Sequence, residues 1–454
     1  MKNFFMALLG GLLAPFVCAA ARPIARWDVV PYQRLQSPFR AGVVAFHEKG
    51  VTVEFSIEGR PVLTTSQRER NPRTGVNEFV LPIDPRAYPD GPITVRATVR
   101  ATGDAASAYT LPDLVLYADS GCSLGSQTCV WVDAQKGNEF ASGLRDEPVK
   151  TLSTALMKAG DGGTVYLLAG THSAKRIGAG KDRKYWSTIT LAPGVPRKAV
   201  KVIGGRLGSD KLRFKGLNLY TDLPDHGAVA RGEGGGTSAW FDDCRMTAEK
   251  GRYAGRSMPF GSKLHAYVTG GETYNMSCGP TAELLRDHTI RCVSDDALPP
   301  SDCLVVNVKV EDIDAGDTMD TPDFFRAFVL APNWAHDVIL YHVRGLNCKS
   351  RAFTGSRFRD SALVDIEVET TGGELMQSQF NQEAENLIFA NVTITDQAWQ
   401  WMQPKNGRGN FVPTDVRLFA VKCAGFSGFD EIDGSRGLTI LPEYDIIQFP
   451  KGEK

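Results

Sequence analysis

A short strand motif that recurs along the chain constrains the fold more than any other sequence feature. The motif is a polar or small residue followed by alternating apolar and polar residues. It stands at residues 216–219, 243–246, 307–310, 342–345, 365–368, 391–394 and 420–423. Successive motifs start about 23 to 35 residues apart, except for one gap wide enough for two coils. Second and fourth motif residues are expected to point inward, first and third outward. This period predicts a parallel β-helix in which each motif belongs to one coil.

A short amphipathic helix is predicted just before the first coils. Leu152, Ala155, Leu156 and Ala159 fall at helical spacing, and Pro148 stands near the predicted start. The glycines at 162–163 end the helix, and residues 164–168 form an apolar strand. A solenoid end exposes apolar interior and unpaired backbone, so we expect this helix to cap it.

The helix, the Gly-Asp-Gly-Gly-Thr-Val run at 160–165 and the strand ending at 169–171 form a specific combination. It resembles the N-terminal cap and first coil of right-handed parallel β-helix proteins of the pectate-lyase-like group. The resemblance covers about 70% of the chain and implies a right-handed β-helix of about ten coils within residues 120–454. The chain lacks the Arg-x-Pro-x-x-Arg pattern of pectate lyases and the Asn-x-Asp and Gly-His-Gly patterns of polygalacturonase-type hydrolases. The resemblance therefore assigns no catalytic residue.

Residues 22–119 have a different pattern of short strands separated by turns. Residues 51–57 and 93–99 alternate apolar with polar side chains, and Pro-Asp-Gly-Pro at 89–92 is a turn sequence. Without a helical period, this stretch predicts a small β-sandwich. It resembles bacterial immunoglobulin-like modules, which implies a spacer or docking unit. The fold class is thus all-β, with two unlike domains.

The N-terminus has the three parts of a signal peptide, predicted at residues 1–21. Lys2 is followed by an apolar stretch at 4–13 and by small residues at 18–21. The apolar run is too short to span a bilayer, and no later segment resembles a transmembrane helix. We expect a secreted or periplasmic protein. Eight cysteines remain after cleavage, an even number that permits disulfides, with Cys122 and Cys129 as the closest pair.

The charge balance excludes one class of partner. Lys and Arg number 51 against 52 Asp and Glu, and no basic run is interleaved with aromatic residues. We therefore expect no nucleic acid partner. The partner we expect is a polysaccharide, bound by a monomer.

Superposing the motifs aligns several polar loops on one side of the predicted solenoid. The aligned residues include acids, cations, amides and indoles, as in sugar-binding grooves. Candidate catalytic residues are His342, Lys349 and Arg351. Candidate substrate-binding residues are Arg357, Gln377, Gln379, Trp399 and Trp401. Candidate calcium ligands are Asp314, Asp317 and Asp320, because hard oxygen ligands crowd the loop at 311–323.

Each candidate also has a structural interpretation. The acidic loop can be a solvated loop, the cations can pair with neighbouring acids, and the two tryptophans can pack under a loop. His342 can be a hydrogen-bonded structural residue. A second region, residues 204–206 with the glycine-rich run 231–236, lacks the following Lys-Ser/Thr of a phosphate loop and is interpreted as an inter-coil loop.

The functional hypothesis is a lyase that cleaves a uronate-containing polysaccharide by β-elimination. A cationic base would remove the proton next to a carboxylate whose charge is neutralised by Arg or calcium. Hydrolysis by two carboxylates from 311–323 is a variant of this hypothesis. The alternative is a non-catalytic glycan-binding or adhesion protein that uses the same groove. A purely structural spacer is the third possibility.

Overall fold

The computed structural model describes most of residues 21–441. The segments outside the described residues are 1–20, 178–181, 222–226, 234–235, 249–256, 262, 299–301, 315–322, 328–334, 371–377, 396–397, 402–411, 420, 422–424, 428–437 and 442–454. The predicted signal peptide, but for Ala21, and the last motif, but for Val421, fall in these segments.

The N-terminal part consists of two sheets. The first has strands Ile24–Trp27, Phe39–Phe46, Asn77–Ile83 and Glu69–Arg70, in that spatial order. The second has strands Arg34–Leu35, Leu114–Ala118, Gly91–Ala101, Val51–Ile57 and Arg60–Thr65, with Tyr109–Thr110 beside Gly91–Ala101. Single 3-10 turns occur at Pro85–Ala87 and Ala105–Ser107.

The alternation of buried and partly exposed side chains along each strand explains how these two sheets pack. Strand Val51–Ile57 buries every second residue, as a half-buried strand must. Val53, Phe55, Val95, Ala97 and Val99 from the second sheet join Val43, Phe79 and Leu81 from the first in one apolar core. The chain therefore begins with a β-sandwich, and its immunoglobulin-like character stays a prediction.

The rest of the described chain is a parallel β-helix with three faces. The first face begins with Cys129–Val132, Thr164–Leu167, Ser187–Leu191, Leu212–Lys215, Thr237–Asp242, Leu264–Thr269 and Leu284–Arg286. The second begins with Gly170–Ser173, Val200–Ile203, Asn218–Tyr220, Arg245–Thr247, Glu272–Met276 and Thr289–Val293. The third begins with Arg176–Ile177, Gly205–Leu207, Ala228–Gly232 and Met258–Phe260. A 3-10 turn, Arg197–Ala199, precedes one strand of the second face.

In the later coils, four long strands (Leu304–Asp314, Ile339–Lys349, Arg351–Thr370 and Ser378–Thr395) run around corners from one face to the next, and the other strands are shorter. In chain order, the strands of these coils are Leu304–Asp314, Asp323–Ala327, Ala335–His336, Ile339–Lys349, Arg351–Thr370, Ser378–Thr395, Ala398–Trp401, Val412–Phe419, Gly425–Ser427 and Leu438–Leu441. The first and second faces thereby join into one parallel sheet of 23 strands. This architecture confirms the predicted β-helix.

The strand motif marks the corner between the first and second faces. Its second and fourth residues are buried, for example Val308 with Val310 and Ile366 with Val368. Its third residue faces outward, as Lys309 and Glu367 do. The prediction of inward and outward positions is therefore confirmed for these coils. The wide gap between the motifs at 243 and 307 contains two further corners, at Gly270 and Asp287.

The predicted capping helix is also confirmed, at Leu152–Ala159. The Thr151 hydroxyl accepts a hydrogen bond from the backbone N–H of Thr154, which caps the N-terminus. Gly160, with φ of 71°, ends the helix. The helix buries the four predicted residues against the first coils, so the open end of the core is covered.

The sandwich docks on the outer side of the first face. Phe46 packs edge-on against Tyr341 with ring centroids 5.2 Å apart, and Val44 joins the same apolar cluster as Val306 and Val364. The outward positions of the first face are thus apolar where the sandwich covers them. The two domains form one continuous body along this contact.

A buried charge network crosses the same contact. Arg286 of the β-helix donates to Asp28 of the sandwich, with Nη1 to Oδ1 at 2.8 Å. Asp28 Oδ2 and Glu78 Oε2 are buried without another partner, so a protonated Glu78 can donate to Asp28. Burial, together with the negative charge of Asp28, raises the pKa of Glu78 to about 8. Glu78 is therefore protonated in the folded protein at neutral pH.

The cysteine pairing expected from spacing is wrong. Cys122 and Cys129 are separate thiols, as are the buried Cys244, Cys292, Cys303 and Cys348. Burial raises the pKa of Cys244 and of Cys303 to about 12, so both thiols stay protonated.

Within the described residues, no helix is long and apolar enough to cross a membrane.

Candidate functional site

The predicted catalytic residues lie on one coil but not at one place. His342 occupies the corner between the first and second faces, with φ of 57°. Lys349 ends the strand of the second face, and Arg351 begins the next strand. The seven residues from His342 to Lys349 span roughly 20 Å of extended chain. The structure therefore places Lys349 near Arg351 and keeps His342 apart from both.

His342 is held by the next coil. Its Nδ1 lies 2.6 Å from Asp365 Oδ2, and Arg344 donates to the other oxygen of Asp365 at 3.0 Å. Burial raises the pKa of Asp365, but the contacts with His342 and Arg344 outweigh it and leave the pKa below its usual range. An ionised Asp365 thus fixes the imidazole in the corner. This arrangement supports the structural interpretation of His342.

Lys349 and one predicted calcium ligand bind each other. Lys349 Nζ donates to Asp314 Oδ2 at 2.9 Å. Asp317 and Asp320 lie outside the described residues. A carboxylate already paired with an ammonium is a poor cation ligand, so the described part of this loop does not form a calcium site. Calcium binding stays a prediction, and we derive no chemical step through it.

A different acidic group lies where the β-helix meets the first sandwich strand. Ligand atoms of Asp302, His336 and Asp337 lie within 4.8 Å of one another. Arg26 donates to Asp302, and Arg22 donates to Asp337. The arginines pair with the two carboxylates, and Arg22 also pairs with Asp360, so this group ties the domains together.

The arginines of the later coils stand beside acids. In the strand register Arg351 is opposite Asp323, Arg357 is opposite Glu383, and Arg359 is opposite Glu385. Opposite charges on neighbouring strands stabilise a sheet. The role of Arg357 in substrate binding stays a prediction.

The strand that contains Gln379 pairs with the strand that contains Trp399 and Trp401. Gln379 is opposite Thr354 on one side and Gln400 on the other, and Trp399 and Trp401 are opposite Ser378 and Phe380. Gln377 lies outside the described residues, and so do the side chains of Gln379 and the tryptophans. The prediction that these residues form one substrate site stays a prediction.

The early coils carry a row of like charges on the third face. Arg176 is opposite Arg206, and Arg206 is opposite Arg231, on three successive strands. The neighbouring positions Ile177 and Leu207 are buried, so the arginines face outward. Glu233 reaches the end of the row, 3.9 Å from Arg176. We call Arg176, Arg206 and Arg231 the arginine row.

Sequence reasoning flagged Arg206 and Arg231 but assigned them to an inter-coil loop. The signal that identifies the row is the coil period. Each arginine precedes Ile177, Leu207 or Gly232, and the three stand 30 and 25 residues apart. Superposing the third strand of each coil, rather than the corner motif alone, would have aligned them.

Comparison with known proteins gives distant structural similarities only. No protein-family model matches the sequence, and no curated protein matches it. A GH136 lacto-N-biosidase from Eubacterium ramulus has a TM-score of 0.37 at 8% identity, covering 69% of this chain and 67% of that one. A rhamnogalacturonan lyase has a TM-score of 0.32 at 11% identity, covering 70% of this chain and 86% of that one. A family 28 exopolygalacturonase from Yersinia enterocolitica has a TM-score of 0.26 at 9% identity, covering 93% and 98%. These scores are low, so we draw the function from the chain's own residues.

Proposed function

We propose that this chain is a secreted protein that binds an acidic polysaccharide along the third face of its β-helix. The observation that carries the proposal is the arginine row. Neighbouring strands lie about 4.8 Å apart, so the row presents three guanidinium groups at regular short intervals. Arginine binds carboxylates through paired hydrogen bonds. A polymer with a carboxylate on each sugar is the ligand that such a row fits.

The local charge is not a consequence of overall basicity. The chain has a formal net charge of −1. Like charges directly opposite each other on neighbouring strands destabilise a sheet. In the later coils the arginines are opposite acids, whereas in the arginine row they are opposite one another. A bound polyanion would remove the repulsion within the row.

The finer proposal is cleavage of that polymer by β-elimination. A base removes the proton from the carbon next to the carboxylate, a carbon–carbon double bond forms, and the bond to the next sugar's oxygen breaks. Lys349 and Arg351 are the candidates, because they lie close together beside the third face. Five coil steps separate Arg231 from Arg351, about 24 Å. A ligand that reaches both must therefore be a polymer.

One observation favours binding without cleavage as the second candidate function. The ammonium of Lys349 is engaged by Asp314, and His342 lies at the far end of the same strand. Lys349 and His342 thus do not form an assembled acid–base pair with each other. Under this alternative the same face binds and releases the polymer.

The test is incubation of the full chain with polygalacturonate, alginate, a glycosaminoglycan and neutral glycans. Binding is measured by affinity electrophoresis, and cleavage by ultraviolet absorbance of unsaturated uronates together with reducing ends. We expect binding to acidic polymers that weakens as salt is added, because screening reduces charge attraction. New absorbance supports the lyase, and reducing ends without absorbance support hydrolysis.

Arg206→Ala should weaken binding to the acidic polymer by about tenfold, because it removes the centre of the row. The matched control is Arg60→Ala, which removes an exposed arginine from a sandwich strand. Equal binding of neutral glycans, or unchanged affinity in Arg206→Ala, would contradict the proposal.

A further inference from the structure

A pocket of about 200 Å³ opens where the sandwich meets the first face of the β-helix. The sandwich contributes Tyr32, Gln33, Arg34 and Gln36, and the β-helix contributes Trp186, Thr188, Arg213 and Trp240. Trp186 and Trp240 belong to the apolar cluster of the domain contact, which continues from the pocket along the same face. The pocket is thus formed by both domains and belongs to a different face from the arginine row.

Two tryptophans form the fixed part of the pocket. Their rings meet edge to face with centroids 5.9 Å apart. Trp186 Nε1 donates to the carbonyl of Pro31 at 2.6 Å, and Trp240 Nε1 donates to Thr269 Oγ1 at 2.8 Å. Only 6% of Trp186 and 7% of Trp240 is exposed. The indoles are therefore held in place before any ligand arrives, which reduces the entropy lost on binding.

Polar groups surround the indoles. The guanidinium of Arg213 lies 3.9 Å above the Trp240 ring and pairs with Asp242. Gln33 Nε2 donates to the Val30 carbonyl and Gln36 Nε2 donates to Asp119. Each glutamine keeps its carbonyl oxygen as an acceptor. Indole, amide, hydroxyl and guanidinium groups in one small pocket have the composition of a saccharide site.

The charge of the lining specifies the sugar. Among the described residues, two arginines and no acid line the pocket. Arg34 donates to the carbonyls of Leu124 and Gly162 and, within the described chain, forms no ion pair. Its guanidinium therefore has no carboxylate partner among the described residues. An anionic substituent on the ligand would supply such a partner.

The backbone at the pocket is strained. Tyr32 has φ of 62°, a conformation that bulky residues rarely adopt, and its N–H donates to the Val115 carbonyl at 2.7 Å. Lys211 lies 4.7 Å from the centroid of its ring. Strained residues persist only where the surroundings fix them, and they concentrate at ligand sites.

We propose that this interdomain pocket binds a single sugar ring that carries a carboxylate. The site uses residues separate from the arginine row, so it can exist whether or not the polymer binds there. A ring held in this pocket would contact both domains at once. The site would thereby recognise one uronate unit or the end of a chain.

The test uses the full chain with galacturonate and its neutral counterpart galactose, by isothermal titration calorimetry and saturation-transfer NMR. We expect saturable millimolar binding of galacturonate and at least about tenfold weaker binding of galactose. Absence of saturable galacturonate binding overturns the proposal. Equal affinity for the two sugars overturns the claim that the pocket recognises the carboxylate.

Variants locate the binding. Arg213→Gln should weaken galacturonate binding by about tenfold, whereas Arg245→Gln should leave it unchanged. Arg245 is the matched control, because it also lies over an aromatic ring, Tyr274 at 4.9 Å, and pairs with an acid, but on the second face. Gln36→Ala, at an exposed position, is the second pocket variant if Arg213→Gln does not fold. Equal loss in Arg245→Gln would refute the assignment.

Arg206→Ala separates the two proposals. It should weaken binding of the polymer and leave galacturonate binding intact. A variant protein that loses both ligands would show that the pocket is not an independent site.

Discussion

Residues with a positive φ, in the left-handed region of the Ramachandran plot, occupy the corners of the β-helix. Between the first and second faces these are Gly216, Asp243, Gly270, Asp287, Asn307, His342, Asp365 and Asn391. Before the first face they include Lys211, Lys263, Asp302, Asp337, Asp360 and Asn386. Asparagine, aspartate and glycine adopt this conformation at low cost. The polar or small first residue of the strand motif is therefore a corner requirement.

Side chains at these corners also bind from coil to coil. Asn307 Nδ2 donates to Asp287 Oδ1 at 2.8 Å, and Asn386 Nδ2 donates to Asp360 Oδ1 at 2.8 Å. Each bond joins equivalent positions of consecutive coils. The corner residue thus has two roles. Its backbone forms the turn of its own coil, and its side chain bonds to the neighbouring coil.

Replacing Asn307 separates these two contributions. Asn307→Gly keeps the backbone conformation and loses the bond to Asp287, so the free energy of unfolding should fall by about 1 kcal/mol. Asn307→Leu loses the bond and also places a bulky residue in the left-handed region, so the free energy of unfolding should fall by about 2–3 kcal/mol in total. Denaturant unfolding measures both. Thr289→Ala, at an outward strand position, is the control and should change stability by less than about 0.5 kcal/mol.

The capping helix is the element whose role is clearest from its sequence. Its buried side packs against the strands Cys129–Val132 and Thr164–Leu167 and covers the interior of the first coil. Without such a cover, the apolar interior and the strand edges at this end would meet water. The helix is too short to be stable by itself, so it stabilises the solenoid mainly through the packing of its buried side.

Leu156→Ala should lower the free energy of unfolding by about 3 kcal/mol, because Leu156 is fully buried and its loss leaves a cavity. Met157→Ala is the matched control on the same helix, since Met157 is 62% exposed. Thermal or denaturant unfolding of the two variants gives the comparison. Similar losses in both would mean that the helix does not seal the core as described.

At the scale of the whole molecule, the contact between the two domains contains a carboxyl with a raised pKa, Glu78. This carboxyl lies beside Asp28 of the same domain and near Arg286 of the β-helix, and Asn71 donates to its Oε1 at 3.2 Å. The folded protein holds the proton up to about pH 8, whereas an unperturbed carboxyl releases it near pH 4.5. The folded state thus binds more protons in this interval, so the free energy of unfolding falls as pH rises through it.

Glu78→Gln should remove this pH dependence, because the neutral amide can donate to Asp28 at every pH. We expect a flatter stability profile between about pH 4.5 and 8 and a more stable variant above pH 8. Unfolding followed across this pH range is the measurement. Glu69→Gln, an exposed carboxylate of the same sandwich, is the control. A profile parallel to that of the native protein would contradict the assignment.

Local patterns in the sequence determined the coils. The alternation around Asn307 and Asp365 predicts which side chains face the core, and the spacing from Leu152 to Ala159 predicts the cap. These features repeat at short range, since inward packing in a parallel coil depends on the order of neighbouring residues.

The contacts made by the outward side chains of each face become visible only in the folded molecule. The sequence did not indicate that the sandwich covers the first face or that Asp314 pairs with Lys349. It also gave no sign that Arg34 and Gln36 would share a pocket with Trp186 and Trp240. These contacts join residues far apart in the chain, and no local period records them. The physical reason is that register and domain docking place side chains across coils, where sequence distance carries no information on spatial distance.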